Sequence, residues 1–477
     1  QVSLLIQAGT SSLVSQRTNR SKYRMETPLL TTVPGSQRSI APASTIKASW
    51  ITTTVNLTKA FVGASSFEVP WAFAQAGLVG SIMGILAVAL VSTHGLCTLA
   101  RCSALLLADT TSYGQPPSYP SLGAAALGQP GHLMAWFGLG AMTLGVCGSY
   151  VTLISTTLAD LTGWSSKLWV LLVFPPLVAT SCIRRMNNLR FTSAFGTMAL
   201  VAAVAVTTYD AAVNEPDRNE NLLELPLVEL DTFPLFIGNI GFLYLISTAI
   251  LPIAQSMHEP ARFDSAFTAS VVFVTILNLS FGIFAWYRFG GSACKIDDHH
   301  VGAALGCVQS NVLKNLEPGV VTRAVKALVV VDIINTCAIF TFPMNEALTG
   351  ALLGEGTGRL HYWKGNALRA IVIASISAIA YFLPFFPLLT GLTGGLGNNI
   401  LGLILPPVFY FRLQLKRGYW KRSLGSYVGG TKGTDTPEQQ GSVWELVSLA
   451  GVLCFGLAFL GLTLFSFGKA IWDQLDH

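Results

Sequence analysis

Between Asn56 and Gly77 the chain reads Asn-Leu-Thr-Lys-Ala-Phe-Val-Gly-Ala-Ser-Ser-Phe-Glu-Val-Pro-Trp-Ala-Phe-Ala-Gln-Ala-Gly. The stretch is apolar enough to enter a bilayer, but its middle holds Gly63, Ser65, Ser66, Glu68 and Pro70, which weaken or interrupt a continuous helix. In hydrocarbon each free backbone N–H or C=O costs several kcal/mol, so an unwound turn persists only where it lines a cavity or meets a ligand. These residues predict a first helix broken at a solute site near the midplane. Glu68 is the sharpest chemical group in it. Inserting a carboxylate at the centre of a span costs about 2.5–3.5 kcal/mol, so such a group faces a cavity or a partner. It either exchanges a proton as a solute moves or stays neutral against neighbouring backbone. A second group, Asp332, Asn335 and Thr336, recurs at i, i+3 and i+4 and shares one helix face. Asp332 lies about nine residues past Arg323, near mid-depth at about 1.5 Å per residue. That face is either a proton or cation relay or an interhelical hydrogen-bond clamp. Sodium coupling would call on the neutral oxygens of Thr336 and Thr341, whereas two intramembrane acids favour protons.

The elements that must position these groups are membrane spans. Of 477 residues, 51% are hydrophobic and 11% charged, against about 25% charged in soluble domains. At about 20 residues per crossing, hydropathy predicts eleven spans in an all-α polytopic membrane protein. They are Thr58–Gln75, Leu78–Leu106, Leu133–Leu161, Leu168–Ile183, Phe191–Thr208, Phe233–Met257, Phe267–Phe289, Ala324–Leu348, Ala367–Leu383, Leu396–Leu413 and Val443–Phe467. With the amino end inside, twenty of the 29 Lys and Arg residues fall on that side, eight on the other, and Lys59 within the first span. This split follows the positive-inside rule through ten alternations. The positive charge is thereby explained by topology, and no nucleic-acid partner is expected.

Of eight cysteines, Cys294 and Cys307 lie in the outer loop after span seven and pair if that side is oxidising. The other six fall in or beside spans as small apolar groups. No cysteine pair has zinc spacing, and no phosphate loop or hydrolase elbow occurs, so no metal, no cofactor and no enzymatic activity are expected.

Residues 1–55, rich in Ser, Thr, Arg and Gln, read as a mobile tail on the cytosolic or stromal side. Their acid-poor composition also resembles an organellar transit region, which keeps plastid, another organelle and the plasma membrane open as destinations. Residues 56–213 form a first five-helix unit, and 214–232 an acidic outer loop. Residues 233–413 form a second five-helix unit, 414–442 a basic inner loop, and 443–477 an eleventh helix. Span six is also interrupted, by Gly238, Gly241 and Pro252. It enters from the side opposite to span one, which is the layout of an inverted repeat with its site at the pseudo-two-fold axis. Glu346 and Lys59 reach toward the inner face. His94 reads as packed, and Asn278, Asn398 and Asn399 as groups bonding helix to helix.

Four motifs in order resemble the amino acid/auxin permease family. Gly63-Ala64-Ser65-Ser66-Phe67-Glu68-Val69-Pro70-Trp71-Ala72-Phe73 is similar to its helix-one signature, and Pro252 to Pro260 to the element closing helix six. Phe342-Pro343-Met344 resembles the end of helix eight. Gly391-Leu392-Thr393-Gly394-Gly395 with Leu403-Ile404-Leu405-Pro406-Pro407 resembles the Gly-rich start and Leu-Pro close of helix ten. The resemblance covers about residues 56 to 467. It implies a LeuT-type fold, a five-plus-five inverted repeat with one extra helix. It further implies secondary transport of amino acids or related solutes, often proton-driven, by alternating access.

An amino acid at mid-membrane presents a carboxylate and an ammonium, each costly to bury alone. Freed N–H groups after Gly63, around Ala64, Ser65, Ser66 and Phe67, answer the first. Carbonyls between Phe242 and Ser247 answer the second. Phe67, Phe242 and Tyr244 then act as walls or gates, with Glu68, Asp332, Asn335 and Thr336 in ion coupling. Ser65 replaces a family glycine, and Ile246-Ser247 stands where many members have a glycine-containing break. That added bulk favours an alternative: a non-transporting, permease-like subunit of a larger membrane complex, or an amino-acid sensor.

Overall fold

The computed structural model describes residues 47–109, 117–183, 201–202, 204–209, 213, 227–294, 307–316, 319–354, 356, 358–420 and 442–475. The helices, in chain order, are α1 (Trp50–Phe61), α2 (Val69–Asp109), α3 (Tyr119–Leu127), α4 (Gln129–Thr162), α5 (Ser166–Ser181), α6 (Phe233–Tyr244) and α7 (Ser247–Ser256). They continue as α8 (Phe263–Arg288), α9 (Val320–Leu353), α10 (Arg359–Phe382), α11 (Phe386–Thr393), α12 (Leu405–Lys416) and α13 (Val443–Leu475). Eight helical stretches among the described residues are long and apolar enough to cross a membrane. The protein is a multi-pass membrane protein built from helices. The expected fifth span, Phe191–Thr208, lies mostly outside the described residues. So do residues 1–46 of the tail, 214–226 of the acidic loop and 421–441 of the basic loop.

Local chemistry sets where the chain turns. Ser49 caps α1 by accepting from the Thr52 N–H at 3.2 Å, the usual role of an N-terminal serine. The helix therefore starts at Trp50, before the expected Thr58; Thr52, Thr53 and Thr54 lower the hydropathy there but do not oppose helix formation. Gly77 turns α2 sharply at φ 73°, a left-handed conformation that favours glycine. It joins the outward and returning halves of the hairpin expected for spans one and two. The chain ahead of α1 pairs with the chain after α7. Ala48 N–H donates to the Ser256 carbonyl and His258 N–H to the Ala48 carbonyl, both at 2.9 Å.

The centre of the bundle is close-packed by glycine. A Cβ on Gly394 would overlap the Gly238 carbonyl oxygen and the Phe242 nitrogen, and one on Gly238 would stand 2.7 Å from the Gly391 carbonyl. Small residues let membrane helices approach this closely. Hence the tenth span starts at Phe386 rather than Leu396: the glycine run is a packing surface of α11, not a break before it. Between α11 and α12 the backbone runs through two π-helical turns, Gly394–Asn398 and Ile400–Ile404.

Two ion pairs among the described residues fasten neighbouring helices. Arg369, with a side chain 2% exposed, meets Glu346 at 2.6 Å and donates to the Ser181 carbonyl at the end of α5. This fastens Glu346 to α10. Lys326 and Asp160, each 8% exposed, pair at 2.6 Å between α9 and α4. Cys294 and Cys307 are disulfide-bonded. The segment that follows is fixed by Asn315, which accepts from the Gln309 N–H and donates to the Cys307 carbonyl. Asn311 reaches Thr157 of α4 at 3.2 Å. Val312 and Leu313 are thereby held fully buried.

Candidate functional site

Two helix interruptions meet in the middle of the bundle. In the first, Val62 and Gly63 leave helical geometry (ψ 92° and −163°) and a 3₁₀ turn, Ala64–Glu68, leads into α2. In the second, Leu245 and Ile246 (ψ 69° and 41°) separate α6 from α7. Between them lies a narrow cavity of about 20 Å³, room for about one water molecule, lined by Ala60, Gly63, Ser65, Met142, Val146, Tyr150, Phe242, Leu243, Leu245, Ile246, Phe340 and Asn398. Its mostly apolar wall with a few polar groups is typical of small-ligand sites, but a whole amino acid enters only if that wall opens. No charged side chain lines it. Tyr150 stands edge-on to Phe242 and Phe340, with ring centroids 6.5 and 5.8 Å away. Its hydroxyl lies 3.9 Å from where a Cβ on Gly63 would be.

Of the substrate residues expected from sequence, Gly63, Ser65 and Phe242 line this cavity; Ser66, Phe67, Tyr244 and Ser247 do not. Tyr244 turns away because residues two apart lie about 200° around a helix; its hydroxyl meets Thr275 of α8 at 2.9 Å. Phe67 and Ser247 are fully buried, Ser247 beside Gly402. The expected row of free N–H groups is shortened, since the Ser66 N–H donates to the Gly63 carbonyl at 3.0 Å. The break closes partly on itself through this 3₁₀ bond.

Glu68 ends the 3₁₀ turn whose start lines the cavity, and is 2% exposed. Its Oε1 accepts from the Thr390 hydroxyl at 2.8 Å, and the same hydroxyl lies 3.1 Å from Asn239 Oδ1. A hydroxyl has one proton to give, so Thr390 serves one of these acceptors at a time. Glu68 Oε2 and Asn239 Nδ2 are buried without a protein partner. The cluster joins the start of α2, α6 and α11. The outer 3₁₀ turn, Val312–Lys314, packs against the Ala64–Glu68 turn, which covers the break from that side.

Asp332, Asn335 and Thr336 share a face, as their spacing implies, but the last two bond within their own helix. Asn335 donates to the Val331 carbonyl at 2.8 Å and Thr336 to that of Asp332 at 2.9 Å. These two bonds form no clamp to another helix. Asp332 is instead in electrostatic reach of Lys59 on α1. The two acids are thus set at different places, Glu68 with α6 and α11, Asp332 with α1. No group of three or more His, Cys, Asp or Glu able to hold a metal occurs among the described residues.

Residues 46–426 match the profile of the transmembrane amino acid transporter protein family. The chain belongs to that family. Amino acid transporter AVT3C of Arabidopsis thaliana is 22% identical to this family member over 398 residues, 77% of this chain and 84% of its own. Vacuolar amino acid transporter 3 of Schizosaccharomyces pombe is 22% identical over 326 residues, 66% of this chain and 46% of its own. The crystal structure of MhsT in complex with L-phenylalanine aligns over 87% of this chain and 98% of that one, with a TM-score of 0.49 and 13% identity. Members of an amino acid transporter family are not enzymes, in keeping with the absence of a catalytic motif. What sequence reasoning missed in this transporter-family chain is the far wall of the cavity: Met142, Val146 and Tyr150 on α4, Phe340 on α9 and Asn398 in the π-helical turn. The available signals were a tyrosine amid small residues at Gly148-Ser149-Tyr150 and an aromatic just ahead of Phe342-Pro343.

Proposed function

We propose that this protein is a proton-coupled secondary transporter that moves amino acids by alternating access around its two interrupted helices. The observation that carries the proposal is the convergence of both breaks on one cavity, with a buried carboxyl at the end of the same turn. Gly63 and Ser65 offer one side and the Phe242 to Ile246 backbone the other. Glu68 does not touch the solute space. It acts through the 3₁₀ turn, so that its proton state is felt at Gly63 and in the contact with α6 and α11. The backbone pairing of Ala48 with Ser256 and His258 makes the inner halves of the two interrupted helices move together, as a rocking unit requires. Residues 56–213 and 233–413 are the two inverted five-helix halves of this proposal. The amino terminus faces the cytosol, and the vacuolar relative favours an internal membrane of that kind.

A permease-like subunit or sensor that does not transport would have no need of a solute cavity between two helix breaks. The meeting of both breaks at that small cavity therefore favours the carrier, in a conformation that must widen to admit a solute. Purified full-length chain in proteoliposomes, given each of the common amino acids with and without an imposed pH gradient, should accumulate one or more of them only when the gradient is present. Absence of uptake of all of them, with the protein folded and inserted, would overturn the assignment.

A further inference from the structure

We infer that Asn398 is a substrate-reading residue, its carboxamide oxygen accepting an N–H from the ammonium group of the transported amino acid. The inference rests on the transport reading above and deepens it. Asn398 ends the π-helical turn Gly394–Asn398 and lines the cavity. Wide turns of this kind recur at functional sites because they turn a side chain out of the regular helical register.

The orientation of the amide follows from chemistry. Asn398 Nδ2 donates to the Phe242 carbonyl at 3.4 Å, and a carbonyl can only accept. The nitrogen must therefore face Phe242 and the oxygen must face elsewhere. That oxygen, on a residue 2% exposed, has no protein partner. Leaving a buried acceptor unmet costs free energy that a ligand N–H at the cavity would recover. Asn399, next in sequence, likewise has a buried oxygen without a protein partner, but its nitrogen is shared between the Gly395 carbonyl and the Gly456 carbonyl of α13, and it does not line the cavity. Asn398 spends its nitrogen on α6, its oxygen is unpartnered, and of the two asparagines it is the one at the cavity wall.

Among the cavity-lining side chains the polar ones are Ser65, Tyr150 and Asn398. The two hydroxyls can donate or accept, whereas the carboxamide oxygen can only accept. With no charged side chain in the wall, an ammonium must be met by neutral oxygens. Asn398 Oδ1 is the side-chain oxygen there that cannot answer with a competing donor. It lies on the same amide that engages Phe242, at the carbonyl end of the α6 break.

The test removes the ammonium from the solute and the oxygen from the protein in turn. In proteoliposomes, wild type, Asn398→Leu and Asn398→Asp would be challenged with leucine, phenylalanine and alanine and with their des-amino counterparts 4-methylpentanoate, 3-phenylpropionate and propionate. Wild type should prefer the amino acid over its counterpart. Asn398→Leu should lose roughly tenfold or more of that preference, the scale of a hydrogen bond to a charged group, through KM rather than kcat. Asn398→Asp keeps an acceptor but gives up the bond to the Phe242 carbonyl, so it should retain the preference. Equal loss in both variants, or an unchanged ratio in Asn398→Leu, would overturn the inference and leave the transport reading standing. Lack of uptake of every amino acid by wild type would sink both. The N,N,N-trimethyl betaine of each amino acid, which carries the charge without an N–H, needs no variant; wild type binding it as well as the parent would also overturn the inference.

Discussion

Glu68→Gln should yield a folded, inserted protein whose uptake no longer responds to a pH gradient. Glutamine keeps the shape of the side chain and an oxygen to accept the Thr390 hydroxyl at the position now held at 2.8 Å. What it removes is the capacity to take up and release a proton. In wild type the one Thr390 proton can go to Glu68, to Asn239 or to the Phe386 and Pro387 carbonyls of its own helix, with Glu68 the nearest at 2.8 Å. A protonated Glu68 can itself donate, which frees Thr390 to turn to Asn239. The change in proton state is thus written into which helix Thr390 holds. With glutamine that choice is fixed, and gradient-driven uptake should fall to the rate measured without a gradient, while exchange of amino acid across the membrane continues. Gradient-driven accumulation that persists in Glu68→Gln would remove Glu68 from the coupling mechanism.

Asp160→Asn should be the most damaging single change at the outer end of the bundle. Asp160 and Lys326 pair at 2.6 Å with both side chains 8% exposed, and Lys314, in the outer turn, is the third charge. Burial holds the Lys314 ammonium below the ordinary lysine range, Asp160 pulls it back up, and Lys326 pushes it further down. Removing the carboxylate leaves two buried cations facing each other. Breaking a buried pair from one side costs about 3–5 kcal/mol, so the melting temperature in detergent should drop sharply. Lys326→Met should cost less, because Lys314 remains to answer Asp160, and the double variant should be more stable than Asp160→Asn alone. If Asp160→Asn and Lys326→Met melt together, the three charges do not act as one group.

The first helix break was legible because glycine and serines in an apolar span have few explanations other than a local loss of helix; the second was misplaced, since Gly238, Gly241 and Pro252 lie within α6 and α7 and the helix opens at Leu245 and Ile246, the place to which the family resemblance pointed. Glu68 was legible for the same reason, since a carboxyl in hydrocarbon must have a partner; which partner was not, because Thr390 is 322 residues away. The cavity wall was harder to see. Tyr150, Phe340 and Asn398 are ordinary packing residues by type, and only the approach of α4, α9 and the π-helical turn to the breaks gives them a different role. Tyr244 was misplaced because aromatic type was weighed without helical phase: Phe242 and Tyr244 cannot share a face. The glycines around α11 were read as the start of the tenth span, whereas they lie past the start of the helix and their absent side chains are what allow the Gly238 backbone to come so close.

The two wide turns at Gly394–Asn398 and Ile400–Ile404 also bear on what the gene can change without harm. A π turn takes in one residue more than an α turn, and one residue amounts to about 100° of rotation around a helix. The segment is in effect a phase shifter, setting the direction of every side chain from Leu405 inward, including Phe409, which packs against Tyr119 of α3. Swapping one apolar residue for another there leaves that angle alone. Losing a single codon would keep the hydropathy of the span and yet swing its inner half out of alignment with its neighbours, so the length of this stretch is constrained more tightly than its composition.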